Sequence, residues 1–394
     1  MTTRARFFLI LFGVALALVV GLVVLRSTRQ EITLASCEIA PGDWAEMVTS
    51  LLGDYAIPCT QFDLNSRSPG EFVNRVELNN YGLHDTMLKL EKPAGIYRIL
   101  IVGDSFPQGW QVPLEQGFPY LLEQQLSRES GAQIEVVNLS VDAYGTDREL
   151  LLYSILGWRF QADLVLLAIY VGNDIQDNEI DLETRRYGYR LERPFFTLDN
   201  GALRLYGSPI YSPDLYPDSP AYRWLTEMQT QQGETPSENP PAVPRVVSDS
   251  PYTLEYPVEL GLYLPEDAHW SNAWALTEAL IVQVRDLAQE QGSRFAVVII
   301  PDRRAVHTED WAETLQQYPF LQGADPLAPV TRMEHVLASH DIPALNLVWT
   351  LRAWLSSNPD ERLYYGGDGH FNSNGHAVTA RRLSGWLRAE GLVP

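Results

Sequence analysis

From Tyr97 onward, short apolar runs alternate with longer stretches of mixed character, and this rhythm restricts the fold more than any other feature of the 394-residue chain. The apolar runs Tyr97–Val102, Ile134–Asn138, Leu164–Tyr170, Phe295–Ile300 and Ala344–Leu347 have the length and character of buried strands. Helical patterns lie between them, near Gly117–Ser130, Thr146–Trp158, Ser271–Gln291 and Val330–His340. Asn372-Ser-Asn-Gly375 supplies cap-type residues for a last helix reaching about Arg388. Strands alternating with amphipathic helices predict a parallel sheet covered on both faces. The rhythm breaks at about 178–270, which is rich in Pro, Tyr, Asp and Ser. That stretch is expected to be an insertion that covers a substrate or stays partly disordered.

The first of these strands ends abruptly in Gly103-Asp104-Ser105. Open α/β sheets place their ligands at the carboxyl ends of strands, so Ser105 is a candidate nucleophile. A hydroxyl is a weak nucleophile and needs a base to take its proton as it attacks. Near the far end of the chain, Asp368-Gly369-His370 offers His370 as that base and Asp368 as the carboxylate that orients it. Donors for a negative tetrahedral oxygen are available in the turn after Ile134–Asn138 and in Gly172-Asn173-Asp174.

Each residue also has a plainer reading. Ser105 and Asn173 are ordinary turn or cap residues when taken singly. His376 lies inside the last helix, where packing or solvent accounts for it, and His307 reads as loop structure. Asp104 and Asp174 lack companion ligands for a metal, so turn hydrogen bonding is the reading kept for them. No cofactor motif is present. The α/β-hydrolase alternative, with its Gly-x-Ser-x-Gly nucleophile elbow, is weaker, because Pro107 takes the last position.

Composition narrows partner and compartment. The chain is 45% hydrophobic and 20% charged, enough for a real core, and its formal net charge is −21. Such a surface repels phosphate backbones, which argues against nucleic acid as a partner. Residues 7–25 carry no charge and are flanked by Arg4, Arg6, Arg26 and Arg29. At ~1.5 Å per residue this run spans a ~30 Å hydrocarbon layer. It is too long for a signal-peptide core and lacks a small-residue cleavage site, so a retained anchor in the lipid bilayer is expected, with the bulk of the chain extracytoplasmic. Cys37 and Cys59 are the only cysteines, and in an exported region they suggest a disulfide. The expected organisation is an anchor over 1–30, an extension over 31–95 and a catalytic-type domain over 96–394.

The blocks Gly103-Asp-Ser-Phe, Val171-Gly-Asn-Asp174 and Asp368-Gly-His-Phe-Asn372 resemble those of the SGNH hydrolases, also called GDSL-type esterases. The resemblance spans roughly 96–387. It implies a three-layer α/β/α sandwich with a five-stranded, flavodoxin-like parallel sheet, preceded here by the transmembrane helix. It further implies that Ser105 is the nucleophile and an oxyanion donor, Asn173 a side-chain oxyanion donor, His370 the base and Asp368 its orienter. The family's oxyanion glycine usually follows the Asn138 position by about five residues. That count lands on Ala143, with Gly145 as the second choice. The family's final block is usually Asp-x-x-His, whereas this chain has Asp-x-His, a spacing similar to members linked to polysaccharide O-acetylation. The expected activity is serine-dependent hydrolysis of acyl esters, acetyl above all, on a small molecule or a cell-envelope or extracellular carbohydrate. Acyl transfer to a surface polysaccharide and a non-catalytic, membrane-tethered binding role are the alternatives.

Overall fold

Ile99, Leu100, Ile101 and Val102 are all fully buried, as a strand enclosed by two helical layers requires. A computed structural model of the chain describes residues 32–33, 61–66, 68–187, 193–206 and 256–394. The strands, in chain order, are β1 (Ile32–Thr33), β2 (Gln61–Asn65), β3 (Val73–Glu77), β4 (Tyr97–Gly103), β5 (Ile134–Ser140), β6 (Leu164–Tyr170), β7 (Phe195–Asp199), β8 (Ala202–Tyr206), β9 (Arg294–Ile300) and β10 (Ala344–Asn346). The central sheet is parallel and has the order β10-β9-β6-β4-β5. Numbered within the sheet, this is 2-1-3-4-5, the doubly wound order of flavodoxin-like folds. Its core consists of near-continuous apolar strands, each buried Leu, Ile or Val contributing about 1.5–3 kcal/mol on removal from water.

The crossovers place the helices on both faces. Phe118–Ser130 and Ser373–Ala389 pack together on one side, Thr146–Ile155 and Ala268–Glu290 on the other. The Thr146–Ile155 helix is buried on every side although it carries Asp147, Arg148 and Glu149. Arg148 pairs with Glu183 at 3.0 Å, and Arg193 bridges Asp147 and Glu183. Paired burial of this kind allows Asp147 and Arg148 inside a core, whereas Glu149 has no such partner among the described residues and burial pushes its pKa well above the ordinary carboxylate value; together they hide the helix from a reading based on apolar periodicity.

Register sets the position of the site. Gly103 lies level with Ser140 on β5 and with Ala168 on β6, and Tyr170 lies level with Ile300 on β9. The segments that follow these strands therefore emerge on one rim. The crossovers diverge between β4 and β6, so the rim has its crevice there.

One feature differs from the sequence expectation. Within 178–270, the described residues are not featureless: they hold a helix at Ile180–Tyr187 and the β7–β8 hairpin. The hairpin's Asn200 and Gly201 both have positive φ, 50° and 81°, which two-residue hairpin turns require. Before β4, β3 ends at Glu77, and beyond it the Asn79 side chain accepts from the N–H groups of Tyr81 and Leu83 and closes a turn. β1, β2 and β3 form a small antiparallel sheet. It docks beside the crevice: Asn74 Nδ2 donates to the carbonyls of Trp110 and Val112, and Phe62 meets the Trp110 ring edge-on at 4.9 Å. The apolar run 7–25, Cys37 and Cys59 lie outside the described residues. Among those described, no helix is long and apolar enough to cross a membrane.

Candidate active site

β4 delivers Ser105 to the rim. Gly103 has to be glycine, since a Cβ there would lie 2.6 Å from the Pro107 ring and 3.0 Å from the Ala168 carbonyl. Asp104 then caps the short helix Ser105–Gln108, its carboxylate accepting from the Phe106 N–H at 3.0 Å. This cap fixes Ser105 at the first helical position. Asp104 is fully buried, and burial raises its pKa, with nearby Asp142 and Asp177 adding to the effect against the Phe106 bond and His370.

The other end of the chain supplies a tight hairpin. Tyr365 donates its N–H to the His370 carbonyl, and Gly369 donates to the Tyr365 carbonyl, both at 2.9 Å. Gly369 takes φ +90°, a conformation that glycine adopts freely, and this lets the chain reverse between Asp368 and His370. The result is a continuous hydrogen-bonded chain. His370 Nε2 stands 2.7 Å from Ser105 Oγ, and His370 Nδ1 stands 2.6 Å from an Asp368 carboxylate oxygen. The Asp368 side chain is 3% exposed, while the imidazole keeps 24% of its surface open. Burial works against the charged imidazole, but the hydrogen bond and charge of Asp368, followed by Asp142 and Asp104, outweigh it and raise the His370 pKa above the ordinary histidine value.

Ser105, Asp142, Ala143, Asn173 and His370 face one cavity of about 490 Å³. Ala143 is one of the few non-glycine residues with positive φ, at 59°. Tyr144 N–H closes its turn onto the Val141 carbonyl at 3.3 Å. Gly145 instead caps the Thr146–Ile155 helix, and a Cβ on it would meet Asn178 Oδ1 at 2.8 Å, so it serves close packing. Asn173 follows β6, and its Nδ2 donates to Asp177 at 3.0 Å. An amide nitrogen carries two hydrogens, so a second N–H remains for the cavity.

The competing histidines have other surroundings. His376 is 1% exposed against Phe118, whose N–H donates to its Nδ1 at 3.2 Å. Burial, reinforced by the charges of His370 and His84, pushes its pKa down to about 3, so it stays neutral. His307 is buried beside Glu309 and receives the Leu363 N–H. Asp174 accepts from the Tyr170 N–H at 2.9 Å, as a turn carboxylate does.

The cavity also has walls that the sequence reading missed. Trp110, Tyr170 and Tyr187 line it, together with Arg186, Arg303 and Arg304. The arginines are held by carboxylates: Arg186 by Asp177, Arg303 by Asp310 at 3.3 Å and Arg304 by Asp302 at 3.2 Å. Arg303-Arg304 follow the end of β9 after Pro301-Asp302, a rim position that the strand assignment could have flagged.

No family model matches the chain, and no curated protein matches its sequence. Among solved structures it is similar to an acetyl xylan esterase, at 11% identity and TM-score 0.38, over 73% of this chain and 97% of that one. It is also similar to a lipase/acylhydrolase from Enterococcus faecalis, at 10% identity and TM-score 0.37, over 75% of this chain and 96% of that one. A third is a psychrotrophic esterase from Pseudoalteromonas sp., at 11% identity and TM-score 0.36, over 75% of this chain and 99% of that one. Likenesses this distant leave function to be argued from the site itself.

Proposed function

We propose that the protein is a serine esterase of the SGNH hydrolase type, with Ser105 as nucleophile, His370 as base and Asp368 as its orienter. The observation that supports this most is the unbroken chain from the Ser105 hydroxyl through the imidazole to the carboxylate, with links of 2.7 and 2.6 Å. A serine and a histidine 265 residues apart have no structural need to meet in this way at the mouth of a cavity.

The chemistry follows from the geometry. Ser105 Oγ attacks the ester carbonyl carbon while His370 Nε2 takes its proton, and Asp368 stabilises the resulting imidazolium. The carbonyl oxygen becomes negative and is held by the N–H groups of Ser105 and Ala143 and by the Asn173 amide. His370 then protonates the alcohol oxygen as the C–O bond breaks, leaving an acyl group on Ser105. Water attacks that acyl-enzyme with the same base, and the carboxylic acid leaves.

An aromatic-walled, strongly polar cavity favours a hydroxyl-rich acyl ester, so an acetylated carbohydrate is the proposed substrate class. The uncharged run at 7–25 supports action outside the cytoplasmic membrane, tethered by the N-terminus. Hydrolysis of p-nitrophenyl acetate tests the activity: wild type turns it over, and Ser105→Ala does not while melting at the same temperature. Equal rates in the two proteins would rule the proposal out. Product analysis with an acetyl donor and an oligosaccharide separates hydrolysis from transfer, and hydrolysis predicts that free acetate exceeds transferred acetyl.

A further inference from the structure

The turn carrying Asp368 and His370 is held from outside the parallel-sheet domain. Glu71 lies in the loop between β2 and β3, close to 300 residues earlier in the chain. Its two carboxylate oxygens accept from the Gly367 N–H at 2.7 Å and from the Asp368 N–H at 3.0 Å. The carboxylate is itself fixed, because Ser66 Oγ donates to it at 3.1 Å and the Glu71 N–H donates to the Ser68 carbonyl at 3.3 Å. The approach is close: a Cβ on Gly367 would lie 1.6 Å from Ser68 Oγ. Phe72, the next residue, packs its ring on Tyr365 at 4.8 Å between centroids. On the opposite side, Arg303 donates to the Gly366 carbonyl at 2.6 Å.

We propose that Glu71 is a positioning residue for the reaction, acting through the backbone of Asp368, and that the β2–β3 unit is thereby a working part of the active site. The inference rests on the esterase reading. Its physical basis is the exposed, glycine-rich character of the turn. Gly366, Gly367 and Gly369 give the segment wide backbone freedom, and only Gly369 separates the carboxylate residue from the imidazole that it must orient. A charge-assisted pair of hydrogen bonds on consecutive N–H groups removes that freedom at the residue where it matters. Without it, Asp368 would still be present but would sample orientations in which the His370 Nδ1 bond is lost.

The test compares wild type, Glu71→Ala and Glu71→Gln with p-nitrophenyl acetate. Rates are followed across pH, together with thermal melting and the downfield proton resonance of the His370–Asp368 hydrogen bond. For Glu71→Ala, kcat is expected to fall about 10- to 100-fold, the effect of small misplacement of a reacting group, with KM within about two-fold. The acid limb of kcat/KM is expected to move to lower pH, since a poorly aligned Asp368 raises the imidazole pKa less, and the downfield resonance is expected to broaden or disappear. Glu71→Gln keeps one acceptor and should fall between the two. It also decides the matter if the alanine variant does not fold. A wild-type kcat, acid limb and resonance in Glu71→Ala would overturn the proposal. So would a loss that follows melting temperature alone and leaves the resonance intact. If the wild type itself is inert, the esterase reading fails, and the resonance alone then decides the role of Glu71.

Discussion

Asp368 and His370 are separated by a single glycine, yet the carboxylate of one and the ring of the other meet at 2.6 Å. The φ of +90° at Gly369 makes this possible by folding the chain back within one residue. The shorter spacing therefore needs no rearrangement of the fold, only a residue free to enter that region. Gly369→Val is expected to reduce kcat about 100-fold or more, because a β-branched residue resists positive φ and the turn would open. Steady-state kinetics with circular dichroism as a fold control checks this.

Removing the charge but not the shape of the orienting group separates alignment from electrostatics. Asp368→Asn is expected to reduce kcat about 10²- to 10⁴-fold, because the amide cannot stabilise the imidazolium and favours the wrong tautomer. Melting temperature should change little. Steady-state rates measured at a fixed pH above neutrality give the result.

The pH dependence follows from His370. The base works only when neutral, and Asp368 raises its pKa above the ordinary histidine value. Activity should therefore rise with pH through an apparent pKa above about 6.5. Asp368→Asn should move that limb down. The sign for stability is the reverse. A raised folded-state pKa stabilises the protein below the unfolded value of about 6.5, and the contribution is lost as pH climbs through the folded value. Urea titrations at pH 5.5 and 8.5, compared between wild type and His370→Ala, read this difference.

Ala143 holds positive φ without being glycine. Glycine is the residue that adopts φ +59° without strain, at the cost of extra freedom when unfolded. The two effects are each about 1 kcal/mol, so Ala143→Gly should leave stability nearly unchanged. If the function of this position is its N–H, kcat should stay within about three-fold, because glycine keeps that group. A large fall in kcat would mean that the methyl group matters.

Arg98 sits on the strand that carries Ser105 and is fully buried. It donates to Glu135 at 2.6 Å and to the carbonyls of Leu90 and Phe160. Arg98→Ala would leave these acceptors unpaired and should destabilise the protein by about 3–5 kcal/mol. Chemical denaturation measures it.

Much of the sheet was legible because buried parallel strands are written as apolar runs with turn residues at their ends. β4, β6 and β9 stand out in this way, and their register then puts Ser105, Asn173 and Arg303 on one rim. The Thr146–Ile155 helix was harder to read as buried, since Asp147 and Arg148 are paired with Arg193 and Glu183, which are distant in sequence. The β7–β8 hairpin was missed although Asn200-Gly201 signals it, because the Pro- and Ser-rich surroundings pointed to a loop. In the site, the motif residues Ser105, Asn173, Asp368 and His370 carried local signals. Glu71 carried none. A glutamate in a short loop has no chemical signature until folding brings it against the backbone of Asp368.

Activation of Ser105 by His370 is read out by reaction with a fluorophosphonate probe followed by peptide mapping. One stoichiometric adduct is expected on Ser105, and His370→Ala is expected to slow its formation by orders of magnitude. No adduct on Ser105, or equal labelling in the His370→Ala variant, would contradict it.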